Sequence, residues 1–144
     1  MYLKLLLFVS LFFIFGCEDK TLVKIYDSQS IGAKIDSLSL FVNDEKIRAI
    51  AIDAIKSENI SLSDKSDYLL QVDARAYRHH CDNPSTPAYE ATYDGYARIK
   101  LLKNLKPIFM AQKDYHGKLN SSILSSLIEK LVDEMKIKIV PKSM

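Results

Sequence analysis

The first sixteen residues constrain the folded part of this chain more than any other feature. They consist of Met1–Lys4 with one positive side chain, an apolar run over Leu5–Phe15, and Gly16. Such a run is too short to cross a bilayer comfortably, and a cationic start, an apolar stretch and a final small residue are typical of a secretory signal. We therefore predict a cleaved signal peptide over 1–16, followed by a chain long enough for one domain with a modest core.

The end of this leader carries a second signal. The sequence Ile14-Phe15-Gly16-Cys17 resembles the bacterial lipoprotein box, in which an aliphatic, a variable and a small residue precede an acylated cysteine. The resemblance implies that Cys17 receives a diacylglyceryl thioether, that the leader is cut after Gly16, and that the new amino terminus is usually acylated. Two or more acyl chains hold a protein stably on a bilayer, whereas one holds it marginally. An uncleaved membrane anchor, or a signal peptide with a chance cysteine, remains the alternative.

The same resemblance predicts where the protein resides. A lipid on Cys17 would anchor the domain in the cell envelope, facing the periplasm, and the outer membrane is preferred over the inner membrane. Glu18 and Asp19 follow the cysteine directly, and acidic residues there mean retention in the inner membrane in some bacteria. The inner membrane therefore stays open.

Charge and cysteine content argue against a nucleic-acid-binding protein and against an intrachain disulfide. The chain has 20 basic and 18 acidic residues, and the predicted leader removes only Lys4, which leaves the mature chain close to neutral. A dedicated nucleic-acid-binding protein needs a basic face, so none is expected as a partner. With Cys17 acylated, Cys81 is the one remaining cysteine, so no intrachain disulfide can form.

Periodicity predicts the secondary structure of the rest of the chain. Alternating apolar residues predict strands, whereas apolar residues at spacings of three and four predict helices. The predicted strands are 37–42, 68–77, 93–102 and one that starts at Pro107 or Ile108 and ends at Tyr115. The first predicted helix is 44–57, capped by Asn43 or Asp44, and the second is capped by Asn120 and has an apolar stripe from Ile123 to Met135.

This order of elements indicates an α+β fold with two layers, in which two helices pack on one face of a mostly antiparallel sheet. We assign residues 35–144 to this single domain. Residues 17–34 have weak periodicity and several polar side chains, so we assign them to the lipidated cysteine and a tether, within which Leu22–Tyr26 is a candidate edge strand.

One polar cluster could hold a metal. His79, His80 and Cys81 are potential ligands of a transition metal, and His116 is a distant fourth. On an extended strand His79 and Cys81 point one way and His80 the other, so at most two of them converge. We therefore predict no metal site and no cofactor, and a polar strand end that runs into an exposed loop over 82–87.

Catalytic motifs are missing from the sequence. There is no Gly-x-Ser-x-Gly, no His-Glu-x-x-His and no glycine-rich phosphate loop. Neighbouring cysteine and histidine residues cannot by themselves supply the contact and the orienting group that a nucleophile needs. We therefore expect a protein that is not an enzyme.

Tyrosines flank the predicted loop and its strands, and Tyr77, Tyr89 and Tyr93 are the candidate partner-binding residues. Tyrosine is favoured at interfaces because it combines apolar area with a polar tip. The alternative is that strands simply favour aromatic residues.

The mature domain resembles small periplasm-facing lipoproteins of Gram-negative envelopes, namely the lipopolysaccharide-assembly, penicillin-binding-protein activator and curli-secretion types. The resemblance is carried by a strand-helix start, by Ser66–Val72 entering the main strand, and by Tyr96–Leu101 with a return strand before a long helix. It implies a non-catalytic accessory or assembly factor that binds an envelope protein. The alternative is a periplasmic lipoprotein that binds a ligand, either a metal or a lipid.

Overall fold

The computed structural model describes residues 21–77 and 93–141, and these ranges form eight strands and two α-helices. The helices are α1 (Arg48–Ser57) and α2 (Ser121–Met135). The strands are β1 (Leu22–Ile25), β2 (Lys34–Ile35), β3 (Ser37–Val42), β4 (Ser61–Leu62), β5 (Tyr68–Ala76), β6 (Gly95–Lys103), β7 (Lys106–Tyr115) and β8 (Lys138–Ile139).

Six of these strands form the main sheet, in the order β1-β7-β6-β5-β3-β4. The pairings of β1 with β7, β7 with β6, and β6 with β5 are antiparallel. Strand β3 lies parallel to both of its neighbours, and β2 pairs with β8 in a separate parallel ribbon. The predicted α+β class and the meander over β5, β6 and β7 are confirmed, and the edge where β3 and β4 lie adds two parallel pairings.

The core lies between one face of the sheet and the helices. The alternation of the central strands sends every second side chain to this face, because successive side chains of a strand point to opposite sides. Val72, Ile99 and Ala111 face one another across β5, β6 and β7 in this way, and all three are buried. The next row contains Leu70, Leu101 and Phe109, which are fully buried.

Helix α2 covers this row of apolar residues. Its N-cap is the predicted one, because the Asn120 side chain accepts a hydrogen bond from the Ile123 amide at 3.1 Å. Its C-terminus ends on Lys136 in the left-handed conformation, and the Ile137 amide donates to the Val132 carbonyl at 3.0 Å. The side chains that this helix buries are Leu124, Leu127, Ile128, Leu131 and Met135.

Helix α1 begins later than predicted. The Asp44 side chain accepts a hydrogen bond from the Lys46 amide at 2.9 Å, but the turn that it caps is a 3-10 turn over Glu45–Ile47. The α-helix starts only at Arg48, and it ends at Ser57 as predicted. Asp44 is one of the two caps that the sequence predicts, whereas the predicted α-helical hydrogen bonding of the first turn is wrong.

The segment before β3 takes part in the fold. Leu22–Ile25 pairs with β7 as the edge strand that the sequence suggested. Beyond it, the Gly32 amide donates to the Met135 carbonyl at 2.7 Å, and Ile35 is buried. Hydrogen bonds to the sheet and to the end of α2 therefore fix the described part of the predicted tether. The leader and the cysteine at position 17 lie outside the described residues, so the assignments of 1–16 and of the lipidated residue stay predictions.

The packing of α2 gives a test of this architecture. Leu127→Ala or Leu131→Ala should lower the free energy of unfolding by about 2–5 kcal/mol, because each removes buried methyl groups and leaves a cavity. Chemical denaturation measures this change, and Glu129→Ala on the exposed side of the same helix is the control, with a shift within about 0.5 kcal/mol. An unchanged midpoint for both leucine variants would mean that the helix covers something other than this sheet.

Candidate functional site: the aromatic end of the sheet

The structure brings together the two predicted partner-binding residues that it describes. Tyr77 directly follows β5 and Tyr93 precedes β6, and the Tyr77 amide donates to the Asp94 carbonyl at 2.8 Å. Both residues therefore lie at the same end of the sheet. Tyr89, the metal candidates His79, His80 and Cys81, and the predicted loop over 82–87 lie outside the described residues.

Further aromatic side chains join them, and we call this set, Tyr77, Tyr93, Tyr96, Tyr115 and His116, the aromatic end. The rings of Tyr77 and Tyr96 are 6.0 Å apart between centroids and tilted by 45°. Tyr93 stacks on His116 at 4.7 Å. Aromatic pairs at such distances stabilise each other beyond the area that they bury. The rings therefore hold one another in defined positions.

Hydrogen bonds fix the polar tips of two of these tyrosines. The Tyr77 hydroxyl donates to Asp114 Oδ1 at 2.8 Å, and the Tyr96 hydroxyl donates to Asp73 Oδ2 at 3.3 Å. The two aspartates belong to strands on either side of β6, so each bond crosses between strands. The side chains are half-buried, so part of each ring stays in contact with solvent.

Tyr115 forms the buried floor of the aromatic end. Its side chain is only 7% exposed, and burial raises the pKa of its phenol, with a further contribution from the negative charge of Asp94. The phenol is therefore neutral at physiological pH. The backbones of Asp94 and Tyr115 are joined by a hydrogen bond of 2.9 Å, and the Gly117 amide donates to the Asp94 side chain at 2.5 Å.

Gly95 allows this close packing. A Cβ atom at this position would lie 2.5 Å from the Arg75 carbonyl oxygen and 2.5 Å from the Tyr115 hydroxyl. Both distances are shorter than a carbon atom tolerates. The glycine is therefore required by the approach of the tyrosine to the backbone of β6, where any side chain would displace it.

Sequence reasoning named Tyr77 and Tyr93 as candidates, and it missed Tyr96, Tyr115 and the carboxylates that accept hydrogen bonds from Tyr77 and Tyr96. Asp73 and Asp114 carry no local motif, and Tyr77 and Asp114 come together only through the register of β5, β6 and β7. The signal in the sequence was the meander itself. Once three antiparallel strands are predicted, residues near the end of β5 and the end of β7 are expected to lie at the same end of the sheet.

The described residues offer no metal centre. Among residues 21–77 and 93–141, no three His, Cys, Asp or Glu side chains lie close enough together to hold a metal ion. His116, the distant fourth candidate, stacks on Tyr93 instead.

Two neighbouring clefts lie at the opposite end of the sheet, near the starts of β3, β4 and β5 and close to Val140. Asp36 and Val140 line both clefts, together with serines from the neighbouring turns. The Ser66 hydroxyl donates to the Ser37 carbonyl at 2.6 Å and accepts from the Tyr68 amide at 3.1 Å. This hydroxyl therefore holds the turn before β5 in place.

Comparison with known proteins adds little to this description. No protein-family model and no curated protein matches the sequence. The chain is similar to a solved structure of a minor lipoprotein from Acinetobacter baumannii at 14% sequence identity and a TM-score of 0.35, over 69% of this chain and 91% of that chain. A TM-score this low does not establish a common fold, so the match carries no argument about function. Neither described helix has the length and hydrophobicity that crossing a bilayer requires.

The packing of Tyr115 against Gly95 can be tested by a single methyl group. Gly95→Ala should destabilise the protein by about 1–3 kcal/mol, because the added methyl overpacks the site. Thermal or chemical denaturation measures the loss. The second variant Gly95→Ala/Tyr115→Leu should cost less than the sum of its single changes, since removing the phenol clears one of the two clashes. Additive losses would contradict the contact.

Proposed function

We propose that this protein is a lipid-anchored lipoprotein of the bacterial envelope, and that it acts as a non-catalytic accessory or assembly factor by binding an envelope protein through its aromatic end. The sequence Ile14–Cys17 supports the anchor. The observation that carries the binding role is the assembly of Tyr77, Tyr93 and Tyr96 at one end of the sheet.

The chemistry of this end suits protein recognition. Tyrosine rings provide contact area with few rotatable bonds, and rings held by hydrogen bonds lose little conformational entropy when a partner binds. The Tyr77 hydroxyl on Asp114 and the stack of Tyr93 on His116 supply this preorganisation. A partner with apolar side chains and hydrogen-bond donors would fit a surface of half-exposed rings and carboxylates.

The anchor is tested by metabolic labelling with an alkyne fatty acid. We expect Cys17→Ser to lose the label and to accumulate as uncleaved precursor, because in this lipoprotein pathway the thioether forms before the leader is cut. Cys81→Ser is the matched control and should keep the label. Label retained by the Cys17 variant would exclude this cysteine as the site of lipidation.

Partner binding is tested by photo-crosslinking in intact cells. A benzoylphenylalanine in place of Tyr93 should give a specific adduct with an envelope protein. The same residue in place of Tyr26, an exposed tyrosine just after β1, should not. Tyr77→Ala should weaken the adduct, and a denaturation curve should show that the variant is still folded under the conditions of the crosslinking. Equal adducts at both positions, or none at Tyr93, would contradict a role for the aromatic end.

A further inference from the structure

The face of the sheet opposite the helices carries the second surface of interest, which we call the open face. It consists of the alternate residues of β1, β7, β6, β5 and β3 that point away from the core. Gln112 and Lys100 are examples, since their strand neighbours Ala111 and Ile99 are buried in the core. Both described helices contribute to the core on the other side, and no described helix packs on this face.

Two large apolar side chains project from the open face into solvent. Leu22 of β1 pairs with Gln112 and is 59% exposed, and Phe41 of β3 pairs with Gln71 and is 52% exposed. Met110 and Leu102 lie half-buried on the strands between them. The exposed side chains therefore lie at opposite margins of the face, roughly 20 Å apart at the usual strand spacing of about 4.8 Å.

The charged residues of this face are mainly positive. Lys24, Arg75, Arg98 and Lys100 point to this side of the described strands, and their carboxylate neighbours on the same face are fewer. The first of these carboxylates, Asp73, interacts with the Tyr96 hydroxyl and lies 3.7 Å from Arg75 Nε.

The second carboxylate, Asp114, accepts the hydrogen bond of Tyr77. Each acidic group of the face is therefore engaged by a neighbouring side chain. Four basic side chains against these two carboxylates give the open face a net positive charge, beside its exposed apolar groups.

The position of the predicted anchor gives this face a specific neighbour. Cys17 precedes Leu22 by five residues, and an extended chain covers at most about 3.6 Å per residue, so the two lie within about 18 Å of each other. The Leu22 side chain belongs to the open face itself. A lipid on Cys17 would hold this margin of the face at the membrane surface.

We propose that the open face lies against the anionic phospholipid headgroups of the membrane that holds the anchor. The inference rests on the proposed lipidation of Cys17. Lysine and arginine side chains near a membrane are attracted to anionic lipids, and apolar side chains at the margin enter the interface. The helices then point away from the bilayer. The aromatic end, whose Tyr96 belongs to the open face, then lies at the edge of the membrane contact, where a protein in the same membrane can reach it.

The test measures which face of the acylated full-length protein is near lipid. In a Cys81→Ser background, a fluorophore is placed at Gln71→Cys on the open face or at Glu129→Cys on the exposed side of α2. The protein is reconstituted in phosphatidylcholine vesicles that contain one quarter phosphatidylglycerol and a headgroup nitroxide quencher. We expect quenching at least twofold stronger at position 71 than at position 129, and a loss of that difference in vesicles of phosphatidylcholine alone.

Charge reversal separates contact from mere proximity. Lys24→Glu/Lys100→Glu should abolish the excess quenching at position 71, whereas Lys56→Glu/Lys118→Glu, which changes the net charge equally, should preserve it. Equal quenching at both labels would overturn the inference. A second result would also overturn the inference: the label at position 71 is not quenched in vesicles but is shielded from solvent in native envelopes. A protein, and not lipid, would then cover the open face. Absence of the fatty-acid label would identify a failure of the anchor instead.

Discussion

The packing of α2 on strands β6 and β7 is the interaction on which the rest of this structure depends. Leu127 and Leu131 meet a sheet whose buried residues, among them Ile99 and Phe109, have no exposed surface. The apolar stripe of α2 and one face of the sheet bury each other. The domain can therefore stay folded without any element packed on the opposite face of the sheet. The open face and the aromatic end are therefore both available for contacts with other molecules.

The sequence was most informative where the spacing of apolar residues alone determines the secondary structure. Alternation over β5, β6 and β7 and the apolar stripe of α2 could be read without knowing any neighbour, since each follows from burial of one face. The parallel pairing of β3 with β5 and β4 could not be read in this way, because periodicity does not show which strands lie side by side. The start of α1 was missed for a related reason, since Asp44 caps a 3-10 turn and an α-helix equally well.

The candidate site shows the same division. Tyr77 and Tyr93 could be predicted as neighbours of the loop between two strands. Their partners come from a third strand and the residue that follows it, since Asp114 lies near the end of β7 and His116 directly after it. Gly95 acquires its meaning only when Tyr115 is placed against it. The tyrosines in the sequence thus indicated the aromatic end, and strand register decided which side chains orient the tyrosine rings. The five-residue separation of Cys17 from Leu22 in the sequence connects the proposed anchor to the margin of the open face.

The proposed role of this protein depends most on a lipid on Cys17 that holds the domain at a membrane. The most direct measurement is the intact mass of the mature protein purified from bacterial membranes in detergent, with fragmentation of its N-terminal peptide. We predict a chain that begins at Cys17 and carries a diacylglyceryl group on its sulfur, with or without an acyl group on its amino terminus. A mature chain that begins elsewhere, or a peptide with an unmodified Cys17, would contradict the account.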